Sequence, residues 1–191
     1  DASKILPHLD PLTASILVNR GVTSVEEANV MLAPSYDDHV HDPFLLKDME
    51  KAVLRILRAV RNEEEVIIFS DYDADGIPGG VVLHDVFKKI GFTKFRNYIP
   101  HRHDEGFGLS IKAIESFGKV GAKVIITIDC GIADIEEVAL AKKLGMDVII
   151  TDHHLPGAKL PDAYAIINPK QDGCLYPEKM LCGAGVIYKF A

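Results

Sequence analysis

Glu65-Val66-Ile67-Ile68-Phe69-Ser70-Asp71-Tyr72-Asp73-Ala74-Asp75-Gly76 joins an apolar run directly to an acidic one. Residues 66–69 are continuous and rich in β-branched side chains, the pattern of a strand covered on both faces. Asp71, Asp73 and Asp75 follow at once, three carboxylates within five residues. An extended backbone would point all three one way. Gly76 instead frees the chain to reverse, so a tight turn leading into a helix over 78–90, closed by Gly91, is expected. Carboxylates packed this closely repel one another, and bound divalent cations are the simplest way to hold them. An EF-hand is excluded, because Val82 rather than Glu stands twelfth from Asp71.

Outward from this stretch the chain alternates between strand and helix. Strands are predicted over 95–99, 123–128, 147–151 and 163–167. Ser110 caps a helix through Phe117, and Asp134 with Glu137 reads as a capping box for a helix ending at Leu144-Gly145. Strand, helix and strand joined by short loops imply an α/β fold, a mostly parallel sheet flanked by helices. Ligands of such sheets bind at the carboxyl ends of the strands. Here those ends read Asp71 to Asp75, then Asp129-Cys130-Gly131, then Asp152-His153-His154. Carboxylates mixed with imidazole suit Mn²⁺ or Mg²⁺. Neighbouring side chains need not point together, so one imidazole is expected to bind metal and the other to face a substrate phosphate.

Upstream, residues 1–62 read as a helical N-terminal extension, and residues 63–191 as the α/β domain. Asp10-Pro11 opens one helix and Ser24 with Glu27 opens another. Asp48 is expected to cap a third, whose Lys51, Arg55, Arg58 and Arg61 read as a solvated face. Apolar residues make up 48% of the 191 and charged residues 26%, an ordinary globular balance. No apolar run reaches a membrane span of about 18–20 residues. Cys130, Cys174 and Cys182 form no CxxC pair, so each is expected to be a small buried or half-buried side chain in a cytoplasmic protein. The net charge of −7 lacks the basic surplus usual in nucleic-acid binders, but cations bound at the acidic motif would offset part of it. Both termini read as the edges of a fragment.

Asp71-Tyr72-Asp73-Ala74-Asp75-Gly76, Asp129-Cys130-Gly131, Asp152-His153-His154 and Asn168-Pro169-Lys170 resemble the successive motifs of the DHH phosphoesterase superfamily. Asn19-Arg20-Gly21, Leu32-Ala33-Pro34, Asp42-Pro43-Phe44, Pro100-His101-Arg102, Glu105-Gly106-Phe107-Gly108 and Leu181-Cys182-Gly183-Ala184-Gly185-Val186 extend the resemblance to its RecJ branch, the single-strand-specific DNA exonucleases. The resemblance implies a two-metal hydrolase that degrades single-stranded DNA from 5′ to 3′ in DNA repair and recombination. Its cofactors would be Mn²⁺ or Mg²⁺, and replication or repair proteins its partners. It further implies Asp73, Asp75, Asp129 and His153 as metal ligands, Asp129 bridging two ions, and Asp71 as an additional ligand. His154 would contact the scissile phosphate, Asp152 would orient the histidine pair, and Arg102 would clamp a phosphate. His154, Asp129 and Asp152 are thus the expected catalytic set.

Two departures qualify the match. The family places a hydroxyl residue near the start of the first helix, where this chain has Pro78-Gly79-Gly80. The family's last metal-binding Asp falls beyond Ala191, as do its second domain and its oligonucleotide-binding fold, so this chain alone is expected to be weakly active or inactive. A phosphatase of short oligonucleotides, cyclic dinucleotides or pyrophosphate is a second reading, disfavoured by the extension over 1–62. A decayed replication scaffold is a third, disfavoured by the intact Asp and His set.

Overall fold

The strands predicted around the acidic motifs all form: β1 (Val66–Ser70), β2 (Phe95–Tyr98), β3 (Val124–Ile128), β4 (Asp147–Thr151) and β5 (Ala165–Ile167). In the computed structural model, which describes residues 2–191, they build one five-stranded sheet in the order β2-β1-β3-β4-β5. All of its pairings are parallel. The chain moves from β1 outward to β2, then returns to the other side of β1 with β3. The order therefore reverses between β1 and β3, and there the crevice of an open parallel sheet opens. Along the carboxyl edge Ser70 pairs with Ile128, Ile128 with Thr151, and Thr151 with Ile167.

The described residues divide into two compact units, one ending at His41 and one running from Asp42 to Ala191. The first contains α1 (Ala2–Ile5), α2 (Pro11–Asn19), α3 (Val25–Leu32) and α4 (Tyr36–His39) around Leu6, Ala14, Leu17, Val22 and Ala28. Asp10 caps α2 by accepting from the Leu12 and Thr13 N–H groups, both at 3.1 Å. Ser24 accepts from the Glu27 N–H at 3.1 Å, and Glu27 reaches back to the Thr23 N–H at 2.7 Å.

The second unit opens with a 3₁₀ turn, Pro43–Leu45, and α5 (Met49–Arg61). This compact unit thus takes in α5 together with the residues from 63 onward. Met49, Ala52, Ile56 and Ala59 of α5 are buried in one core with Val66, Ile68 and Val124 of the sheet, so α5 belongs to the α/β unit. Two expectations about α5 are corrected. Asp48 makes no cap: it adopts a left-handed backbone (φ 62°), and its carboxylate accepts from the Ile166 N–H at 3.0 Å, tying α5 to β5. Arg55 is not on a solvated face but 3% exposed, bonded to Asp147 at 2.5 Å and paired with Glu64 at 2.8 Å.

The remaining helices are α6 (Gly76–Lys89), α7 (Ile111–Lys119), α8 (Ile135–Lys143) and α9 (Gly183–Phe190). Strand side chains alternate between the two faces of the sheet. Ile68, Ile126, Ile128 and Ile149 pack with Leu83 and Phe87 of α6 and Val186 and Ile187 of α9. Ile67, Phe69, Ile125 and Ile150 pack with Ile114 and Phe117 of α7 and Val138 of α8. Each such buried side chain stabilises the fold by roughly 1.5–3 kcal/mol. Asp134 precedes α8 but does not cap it; its carboxylate accepts from the Leu109 N–H at 2.7 Å instead. Among the described residues no helix is long and apolar enough to cross a membrane.

The close approach of α6 to β3 and α9 needs Gly79, where an added Cβ would lie 2.7 Å from Ile128 and 3.0 Å from Ile187. Gly79→Val should lower the urea unfolding midpoint, with a loss of ~2 kcal/mol from overpacking. An unchanged midpoint would show that this layer yields freely.

Candidate metal centre

The register of the ladder assembles the site. The residue following each of β1, β3, β4 and β5 is Asp71, Asp129, Asp152 and Asn168. The ladder continues one step into the acids: the N–H groups of Asp71, Asp129 and Asp152 donate to Ile128, Thr151 and Ile167 at 3.1, 2.9 and 3.1 Å. Three carboxylates therefore leave the sheet at one level, and all three are buried.

The three acids of the first motif part ways. Asp71 stays at the sheet edge, buried, with Oδ1 lacking any hydrogen-bond partner. Burial pushes its carboxyl above the usual range. Asp73 turns back, and its Oδ1 accepts from the N–H groups of Asp75 at 2.8 Å and Gly76 at 2.9 Å. It thereby supplies the start of α6, which begins two residues before the predicted position. The Gly76 and Asp75 amides hold its carboxyl below the usual range. Asp75 reaches the other way and accepts from Gly183 N–H at 2.7 Å and Ala184 N–H at 2.6 Å, at the first turn of α9. Burial raises the Asp75 carboxyl, but these amides and the Cys182 thiol outweigh it and hold the group low.

Asp129 is the centre of the arrangement. It adopts a left-handed backbone (φ 63°), a conformation costly for a side-chain-bearing residue away from Asn and Asp. Its carboxylate is buried, and Oδ1 lacks a well-formed hydrogen bond although His153 Nε2 lies 3.2 Å away. Burial first, then the charges of Asp75 and Asp73, push its carboxyl up to about 7. Gly183 is required beside it, since a Cβ there would collide with the Asp129 carboxylate.

Asp152 organises the histidines. Its Oδ1 accepts from the N–H groups of His153 at 2.7 Å and His154 at 3.0 Å, and lies 2.7 Å from His154 Nδ1. Its Oδ2 accepts from the Ile132 N–H at 3.0 Å. With Nδ1 engaged, His154 keeps Nε2 for another partner. Asn168 completes the support by donating to the His154 carbonyl at 2.9 Å.

Ligand atoms of Asp71, Asp73 and Asp129 lie within 4.8 Å of one another, as do those of Asp129, His153 and His154. Asp129 belongs to both groups. Asp75 belongs to neither, although its Oδ2 is 3.8 Å from His153 Nε2. Two buried carboxylate oxygens without well-formed hydrogen bonds are costly unless a cation meets them, and oxygen-rich donors mixed with imidazole fit Mn²⁺ or Mg²⁺. Arg102 stacks its guanidinium over the Tyr72 ring at 5.1 Å.

Gly183, Ala184, Cys182 and Phe107 stand within the motifs quoted from the sequence, which assign them no role at the site. The signal for the first two was a glycine-rich helix start, whose free N–H groups attract anions. Cys182 is exposed, unlike the buried Cys130 and Cys174, because it stands at the start of α9 beside Asp75. Phe107 is edge-on to His154, with ring centres 5.7 Å apart.

Residues 65–191 match the DHH family, N-terminal domain. The chain is 46% identical over 185 residues to the single-stranded-DNA-specific exonuclease RecJ of Bacillus subtilis, covering 96% of this chain and 23% of that protein. It is 35% identical over 189 residues to the Escherichia coli protein of the same name, covering 98% of this chain and 32% of that one. The chain thus spans a quarter to a third of these relatives. Its fold is similar to the crystal structure of an exonuclease RecJ bound to manganese, with TM-score 0.69 and 30% identity over 76% of this chain and 36% of that one. It is likewise similar to Thermus thermophilus RecJ in complex with Mn²⁺, with TM-score 0.71 and 25% identity over 99% of this chain and 25% of that one.

The folded metal-free site keeps the Asp129 proton up to about pH 7, whereas an unfolded Asp releases it near pH ~4. Stability contributed by this raised group is present below that lower value and lost as pH rises through the upper one. Asp129→Asn keeps the shape and tolerates the left-handed backbone. Thermal melts in EDTA at pH 8 should show it more stable than the parent by on the order of 1 kcal/mol, the gap closing towards pH 4. Mn²⁺ should raise the melting temperature of the parent and not of the variant. A variant less stable in EDTA, or equally stabilised by Mn²⁺, would count against this electrostatic account.

Proposed function

The chain belongs to the DHH family, and on that premise we propose that it carries most of the active site of a metal-dependent, single-strand-specific DNA exonuclease. The carrying observation is the pair of buried carboxylate oxygens at the β1–β3 crevice, Asp71 Oδ1 with no hydrogen-bond partner and Asp129 Oδ1 with only His153 Nε2 near it at 3.2 Å. In this reading Asp71, Asp73, Asp75, Asp129 and His153 would hold divalent cations, Mn²⁺ or Mg²⁺. When bound, such ions polarise a phosphate and lower the pKa of an attacking water.

The chain's own groups do the rest. Asp152 fixes the His154 ring through Nδ1, leaving Nε2 to contact the scissile phosphate and to pass a proton to the leaving oxygen. His153 is held by its backbone N–H on the same carboxylate, which sets its ring beside Asp129. The α9 amides keep Asp75 ionised, so it is ready for a cation. Arg102, now stacked on Tyr72, offers the paired donors that grip a phosphate.

Single-stranded DNA as substrate is supported by the names of the similar proteins from Bacillus subtilis and Escherichia coli. Work from the 5′ end follows from the family resemblance, as does a role in repair and recombination alongside other replication or repair proteins. Three cysteines without disulfides suit a reducing cytoplasm.

With Mn²⁺, a full-length protein carrying this chain should degrade 5′-labelled single-stranded DNA and leave the matching duplex intact. His154→Ala should slow the reaction on the order of 100-fold, and Asp129→Ala should abolish it. Equal cleavage of both substrates, or hydrolysis untouched by loss of Asp129, would overturn the reading.

A further inference from the structure

Phe107 has no role in the site as described, yet it is held beside it with unusual care. It is 55% exposed, its ring meeting the edge of His154 at 5.7 Å and 80°. Left-handed glycines flank it, Gly106 (φ 79°) and Gly108 (φ 78°). Gly108 also needs to be glycine for space, because a Cβ there would lie 2.8 Å from the Asp134 carboxylate. That same carboxylate accepts from the Leu109 N–H at 2.7 Å and pins the segment on one side of Phe107. On the other side Glu105 accepts from the His101 N–H at 2.8 Å and from the Tyr98 hydroxyl.

A large aromatic ring left open to solvent on a pinned turn gains little from the fold itself. Its neighbour is the histidine assigned to the scissile phosphate. A phosphate seated at His154 brings its own sugar and base within reach of the turn. Unpaired bases offer free π-faces, and stacking on an aromatic side chain contributes about 1–3 kcal/mol per base without regard to sequence. Paired bases are already stacked within the duplex and cannot offer that face.

Resting on the exonuclease reading, we propose that Phe107 is a nucleobase-stacking residue that receives an unpaired base next to the phosphate at His154. It thereby favours single strands over duplexes and tolerates any base.

The chain contains no Trp, so Phe107→Trp installs a single fluorescent reporter. In Mg²⁺, its emission should be quenched by a short thymidine oligonucleotide with phosphorothioate linkages, which resist hydrolysis, and not by the same backbone made of abasic sugars. Phe107→Leu should bind the thymidine oligonucleotide roughly 5- to 50-fold more weakly than the parent. It should match the parent on the abasic strand, and Phe107→Tyr should restore thymidine binding. Circular dichroism of each variant guards against misfolding. A parent that binds both strands equally, or a Leu variant as tight as the parent on thymidine, overturns the stacking role and leaves the exonuclease reading standing. A parent that binds neither strand sinks both.

Discussion

The metal centre depends on one constraint, the in-register parallel ladder at the carboxyl edge of the sheet. Ser70, Ile128, Thr151 and Ile167 are laterally paired, so the residues after them leave the sheet side by side. Slipping any strand by one residue would turn its side chains to the opposite face and carry its acid out of the cluster. The cores on both faces oppose such slips. Ile126 and Ile128 fill one core while Ile125 fills the other, and all three are fully buried. Packing energy far from the acids therefore holds the acids together.

That assembly carries an electrostatic cost, which the fold distributes unevenly. Asp73 is stabilised by the amides that begin α6, Asp75 by the amides that begin α9, and Asp152 by N–H groups from Ile132, His153 and His154. Backbone dipoles thus support three of the acids. Asp71 and Asp129 each keep one buried oxygen without a well-formed hydrogen bond, and both are pushed towards the neutral form by burial. The site is polarised: Asp73 and Asp75 are kept ionised with the help of protein amides, while Asp71 and Asp129 depend on a cation to favour their charged form.

Helix α9 joins these two roles. Gly183 lets the helix approach Asp129 closely, while its own N–H and that of Ala184 bind Asp75. The same helix buries Val186 and Ile187 against the sheet. A change in α9 packing would therefore be felt at both carboxylates. On the other flank, Asp134 and Glu105 perform the matching service for the turn that carries Phe107.

Much of this was legible in the chain because it rests on local pattern. The β-branched runs at 66–69 and 123–128 announce buried strands, and the acids directly after them mark the functional edge. What stayed hidden depends on partners distant in sequence. Arg55 has the spacing of a solvated residue, but Asp147 and Glu64 draw it into the interior. Asp48 and Asp134 sit at helix starts with the right chemistry for caps, but Ile166 and Leu109 offer them better-placed amides. Asp75 looks equivalent to Asp71 and Asp73, and only the arrival of α9 from 108 residues away distinguishes it. The sequence by itself determined the strands, the rim and the residue types that suit a divalent cation, since period and composition are local properties. The tertiary structure alone decided which carboxylates are satisfied and which are left open, because that depends on which amides the fold brings within hydrogen-bonding distance.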